Sequence, residues 1–300
     1  MKTLRFLFSG ILSILLSYSL CSCGGGDDED VTSTDSGQSG NNGPNQPGTN
    51  ISKKLVSVDI DYSDDHETVK FQYDNQGNLS SVSIEEGDEI SKFSFTYEDD
   101  RILMTGIEEE HLDGSSHGEL KNMTYYLSNG KVTSIRDEET ELDDWGGQQD
   151  YEHSYYNLEY DNSQNRLIRV SGNSSFSSGD SYNNSSSAIN ISFSWIGDEI
   201  NSINHESYYE SYIYKRSITC KGFFPILLCL DAAWELDECY LLMVNPELAS
   251  IKTNTLPDAS VYANEPQYTY TYELDNEGYL RKMCKQHSGG TSTYYIFTWK

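Results

Sequence analysis

The feature that most restricts what this chain can fold into is a hairpin written into it repeatedly. From Phe71 to Val82 (FQYDNQGNLSSV), alternating apolar residues flank an Asp74-Asn75…Gly77 turn, and from Tyr270 to Met283 (YTYELDNEGYLRKM) the same order returns around Asp275, Asn276 and Gly278. Looser copies lie at Phe93–Leu103, Tyr126–Ile135 (with Asn129-Gly130), Tyr156–Val170 (with Tyr160-Asp161-Asn162) and Phe193–Ile203 (with Trp195 and Gly197). Asp and Asn bend the backbone through their own side-chain hydrogen bonds, and Gly supplies the positive φ of a tight turn. A chain built from such units predicts an all-β fold, a curved antiparallel meander that is open or barrel-like.

The alternation says which face is buried. In Lys92–Glu98, Phe93, Phe95 and Tyr97 share one face, while Lys92, Ser94, Thr96 and Glu98 take the other. The pattern holds for Tyr268, Tyr270, Tyr272 and Leu274, and for Tyr295, Phe297 and Trp299. One face is packed and the other wet. The 23 tyrosines suit half-buried sheet faces, where a ring packs and a hydroxyl reaches a polar partner, so these stripes read as core. The Ser/Asn/Gly-rich stretch 171–187 reads as a long hairpin loop. Between about 222 and 246 the pattern changes: Phe223, Phe224, Ile226, Leu227, Leu228 and Leu230 run almost without interruption. Here the expectation is an inserted helix on the concave side of the sheet, opened by Pro225 and ended by Asn245-Pro246. It carries Asp231 and is too short for a membrane span.

The amino terminus carries address information. Lys2 and Arg5 precede an apolar, Ser-containing run from Phe6 to Leu20, which reads as a secretory signal. Leu20-Cys21-Ser22-Cys23 resembles the lipobox of bacterial lipoproteins, with Leu20 and Ser22 in the expected places before the acceptor. Cys21 fits that role badly. The resemblance implies cleavage after residue 22 and lipidation of Cys23, and several acyl chains on one cysteine would hold the chain stably to a membrane. The acidic run Asp27-Asp28-Glu29-Asp30 resembles the export signal of lipoproteins displayed on the outer face of the outer membrane. Residues 23–50 lack the apolar surface to offset ordering entropy and read as a lipidated, disordered tether. Residues 51–300 read as one domain.

Without residues 1–22 the formal charge of −28 becomes about −30. So acidic a chain repels phosphate backbones, and nucleic-acid binding is not expected. Cys220, Cys229, Cys239 and Cys284 could form up to two disulfides in any of three pairings, or stand as buried thiols. Their spacing matches no zinc site. The six histidines (His66, His111, His117, His153, His205 and His287) form no metal pair on a helix, and a Gly-x-Ser-x-Gly elbow is absent. Asp61, Asp64, Asp65 and Glu67 lack the glycine turn of a calcium loop. No metal or cofactor is expected, and the sequence names no catalytic residue.

Taken in order, the initial strand Leu55–Val58, the Phe71–Leu79 hairpin, the Asn129-Gly130-Lys131-Val132 turn, the Tyr160-Asp161 copy, Phe193-Ser194-Trp195 and the final Phe297-Thr298-Trp299 resemble a family of Bacteroides-type lipoproteins, domain of unknown function 4595. The resemblance spans residues 52–300 and implies a porin-like fold; it transfers no catalytic residues. The Tyr-Asp hairpins also resemble the YD repeats of secreted toxin shells. The expectation is a surface-anchored outer-membrane lipoprotein without enzymatic activity, either binding an extracellular glycan or protein or supporting the envelope. The alternative is a secreted hydrolase acting on glycans with carboxylates from loops 108–118 and 137–150.

Overall fold

A computed structural model describes residues 53–62, 65–87, 89–112, 115–142, 150–177, 184–205, 208–229, 236, 239–262 and 265–300, all in the compact unit Ser52–Lys300. The signal, Cys23 and the tether lie outside the described residues. The strands are β1 (Leu55–Asp61), β2 (His66–Tyr73), β3 (Leu79–Glu86), β4 (Glu89–Tyr97), β5 (Arg101–Leu112), β6 (Ser115–Ser128), β7 (Lys131–Leu142) and β8 (Tyr151–Tyr160). They continue as β9 (Leu167–Ser177), β10 (Asn184–Ile196), β11 (Glu199–His205), β12 (Tyr208–Ile213), β13 (Ala259–Tyr262), β14 (Glu265–Leu274), β15 (Leu280–His287) and β16 (Ser292–Trp299). Each pairs antiparallel with its neighbours in sequence, and β1 pairs with β16, so the sheet is a closed barrel rather than an open meander. Closure leaves no unpaired strand edge. Lys54 and Lys300 exchange backbone hydrogen bonds of 2.7 and 2.9 Å at the seam.

All six repeated units are hairpins, and they gather at one end of the barrel. In three of them the turn Asp accepts two backbone N–H bonds through one oxygen: Asp74 from Gln76 and Asn78, Asp161 from Gln164 and Asn165, Asp275 from Glu277 and Tyr279. Gly77 and Gly278 stand at φ +89° and +92°, which an L side chain rarely adopts. The unit has a second half that spans two hairpins. The aromatic residue ending one strand reaches across to the backbone of an earlier one: Tyr73 Oη donates to Leu55 O (2.7 Å), Tyr97 to Leu79 O (3.1 Å), Tyr160 to Val132 O (2.5 Å) and Tyr214 to Ile200 O (2.8 Å). Trp195 Nε1 serves Leu167 O (2.8 Å), and Trp299 Nε1 serves Leu280 O (2.6 Å). Each acceptor is a buried aliphatic residue, first or second in its strand. The residue just before it often roofs the ring: Lys54 over Tyr73 at 4.5 Å, Lys131 over Tyr160 at 5.0 Å, Arg166 over Trp195 at 5.0 Å.

The inward residues form a continuous apolar core, including Val58, Phe71, Phe93, Met104, Tyr125, Ile135, Ile191, Tyr270 and Phe297. The outward ones are mostly polar, as in Thr68, Lys70 and Gln72 of β2, and His153, Asn157 and Glu159 of β8. Between β12 and β13 the chain leaves the wall for residues 214–258. The expected single helix over about 222–246 is not formed among the described residues. The chain enters extended, bridging Thr219 to Thr255 and Lys221 to Tyr279, and its described residues then make short turns: α1 (Ile226–Cys229), α2 (Tyr240–Val244) and a 3-10 turn at Pro246–Ala249. Pro225 does precede α1, and Asn245-Pro246 does end α2. Every residue of α2 is buried. Tyr240 stacks on Phe93 of β4 at 5.3 Å, and Phe224 meets Tyr272 of β14 edge-on at 6.4 Å. A segment surrounded by apolar wall gains little from a long helix with one wet face, which explains the continuous apolar run.

The stretch 171–187, expected as a loop, is largely ladder: β9 and β10 pair from Arg169↔Ser192 through Ser177↔Asn184. Gly172 sits opposite Tyr156, and a Cβ there would meet Tyr155 O at 1.8 Å, so the glycine admits a close approach of two backbones.

Candidate functional site

The end opposite the repeated turns holds the chemistry. Moving along several strands toward that end, the inward positions change from apolar to polar. On β6 the row Tyr125, Met123, Lys121 ends in a lysine only 1% exposed, and on β7 Ile135, Asp137, Glu139 ends in two carboxylates. Lys121 Nζ donates to Glu139 Oε1 at 2.6 Å and stands 3.6 Å from Asp137 Oδ2. The cross-strand row continues from Glu139 to Glu152 on β8, whose Oε1 accepts from Ser174 Oγ at 3.0 Å. Charges so poorly hydrated are tolerated only when paired.

A second polar cluster occupies the other side of the lumen. Tyr212 Oη donates to Glu210 Oε2 at 3.0 Å, and Glu210 is fully buried. Tyr270 Oη donates to Ser260 Oγ at 3.3 Å, both buried. Lys285 Nζ lies 4.4 Å above the Tyr268 ring, which meets His287 edge-on at 5.3 Å. At the rim, Glu67 of β2 faces inward opposite Glu86 of β3. Burial, then the charges of Glu86 and Asp65, push its carboxyl up to about 7, against the pull of His66. This layer was hidden in the sequence because its charged residues read individually as solvated. The strand phase was the available signal: Lys121 keeps step with Met123 and Tyr125.

The four acidic residues considered for calcium are divided by the wall. Asp61 points outward and meets His66 Nδ1 at 2.6 Å, Glu67 points inward, and Asp64 lies outside the described residues. Asp65, His66, Thr68, Glu85 and Gly87 line an open outer depression of about 650 Å³. No cluster of metal-ligating side chains occurs among the described residues. Cys220, Cys229 and Cys239 are buried free thiols and Cys284 is a partly exposed one, so none of the three disulfide pairings forms. Burial pushes the Cys220 thiol up to about 12, which keeps it protonated and unreactive. Of the carboxylate loops considered for a hydrolase, 143–149 and the side chains at 108–118 lie outside the described residues, while Asp137 and Glu139 are engaged by Lys121.

A closed sixteen-stranded antiparallel barrel defines the class: the chain has a porin-like fold. It is similar to a porin-like protein from Bacteroides uniformis, with a TM-score of 0.51 and 16% identity over 85% of this chain and 99% of that one. A porin-like protein from Bacteroides vulgatus gives a TM-score of 0.43 and 14% identity over 83% and 99% of the two chains. No protein-family model and no curated protein matches the sequence.

Proposed function

We propose that this chain is a non-enzymatic module of the bacterial envelope, a lipid-anchored barrel that stands outside the bilayer and offers its polar end to an extracellular glycan or protein. The observation that carries this reading is the inversion of a pore's two faces. An aqueous pore needs an apolar outer band and a polar lumen. Here most of the interior is apolar and occupied by residues from the 214–258 segment, its polar side chains gather in the layer at one end, and the wall carries Lys70, Arg136, Arg169 and Lys282 outward among Ser, Thr and Asn. A Lys or Arg facing lipid at the bilayer midplane costs about 2–4 kcal/mol. No described helix is long and apolar enough to cross a membrane, so any crossing would fall to these strands. The likeness to porin-like Bacteroides proteins supports an envelope setting, and the lipobox resemblance at Cys23 supplies the anchor and the surface address. The domain of unknown function 4595 is the family this reading favours.

The test has two arms. Residues 24–300 made without detergent should elute as one monodisperse species and give no conductance steps in a planar bilayer; aggregation without detergent, or discrete steps, overturns the reading. The full chain fed an alkyne fatty acid should be labelled, and Cys23→Ser should lose the label. Glycan-array and host-protein screens then seek the ligand.

A further inference from the structure

Lys121, Asp137 and Glu139 form a dry triad on two neighbouring strands. Lys121 lies opposite Glu139, and Asp137 lies one inward position away, opposite Met123. The side chains of Lys121, Asp137 and Glu139 are 1%, 8% and 16% exposed. The lysine nitrogen is 3.6 Å from Asp137 Oδ2 and 2.6 Å from Glu139 Oε1. Beside them, the fully buried Tyr125 hydroxyl has no hydrogen-bond partner among the described residues. An amine and a carboxyl held at this separation behave as one reactant at very high effective concentration. Burial adds a driving force: two ions short of water are worse off than one neutral amide.

We propose that Lys121 and Asp137 condense into an intramolecular isopeptide bond joining β6 to β7, with Glu139 moving the proton. The ammonium first gives one proton to the Asp137 carboxylate, leaving a neutral amine beside a carboxylic acid. The amine lone pair then forms the Nζ–Cγ bond, and Tyr125 is the neighbouring donor for the oxygen that becomes negative. Glu139 takes a second proton from the nitrogen and passes it to the departing hydroxyl. The Cγ–O bond breaks, one water leaves, and the nitrogen keeps its last proton as the amide N–H. Nothing is oxidised or reduced, and no co-reactant is needed. The product ties one strand pair covalently and closes a loop of about 17 residues, which restricts the unfolded chain as a disulfide would.

Intact-mass spectrometry on the protein purified from the full-length chain decides the matter. The expected mass lies one water, about 18 Da, below the value the processed sequence requires, with a branched peptide joining Lys121 to Asp137 after digestion. Lys121→Met should restore the full mass, and Glu139→Gln should leave most molecules uncrosslinked while retaining both reacting residues. A wild-type protein at full mass overturns the proposal whether or not the variants fold. A water loss that survives Lys121→Met overturns it too, since it places the dehydration elsewhere.

Discussion

At the scale of single residues, the barrel depends on polar atoms that lie just inside its apolar end. Tyr73→Phe removes one hydroxyl and leaves the carbonyl of fully buried Leu55 without that donor, which should cost about 1 kcal/mol in urea denaturation. Tyr214→Phe, in a different hairpin, should cost a similar amount, and the two losses should add. Glu67 works in the opposite direction. Its folded carboxyl titrates near 7, above its ordinary value, so the proton it binds favours the folded state at low pH. That contribution is complete below about pH 4.5 and is lost as pH rises through 7. Glu67→Gln should therefore leave stability at pH 4 almost unchanged and raise it by about 1–3 kcal/mol at pH 8, read from denaturation midpoints at the two values.

At the scale of elements, the repeated turn carries its own acid sensitivity. The Asn78, Gln76 and Gly77 amides hold Asp74 below its ordinary value; at Asp161 and Asp275, backbone amides outweigh the opposing effect of desolvation. A depressed carboxyl stabilises the fold above its unfolded pKa and loses that contribution as pH falls through the folded one. Unfolding midpoints should accordingly begin to drop near pH 4 and keep dropping below it, and Asp74→Asn should flatten part of that slope. These turns were legible because the Asp, the Gly and the apolar alternation are all local. The clasp between Tyr73 and Leu55 was not, since nothing in one hairpin says which earlier carbonyl its ring will reach. The polar ends of β9 and β10, within the stretch read as a loop, were missed for another reason: there the inward positions include Gly172 and Ser174 of β9 and Ser187 of β10, so the apolar period that marks a strand disappears. The 214–258 segment shows the reverse failure. Leu241, Leu242 and Met243 are buried on every side, and a continuous apolar run does not tell a helix from extended chain.

At the scale of the whole molecule, the wall and its contents stabilise each other. The filling residues join strands from different parts of the barrel, since Tyr240 packs on β4 and Phe224 on β14. Leu241→Ala should cost about 2–5 kcal/mol by leaving a void that so many paired strands cannot collapse to fill. Near-ultraviolet circular dichroism should register the loss as looser aromatic packing throughout the barrel. The seam where Lys54 and Lys300 exchange hydrogen bonds carries a mechanical consequence. The chain enters β1 at the repeated-turn end and runs toward the polar end, with β2 and β16 on its two sides. A pull between residue 53 and the far rim is directed along the strands, across the ladder bonds rather than parallel to them. Both rows of β1 hydrogen bonds then resist in parallel, as a lap joint does, instead of opening one at a time like a zip.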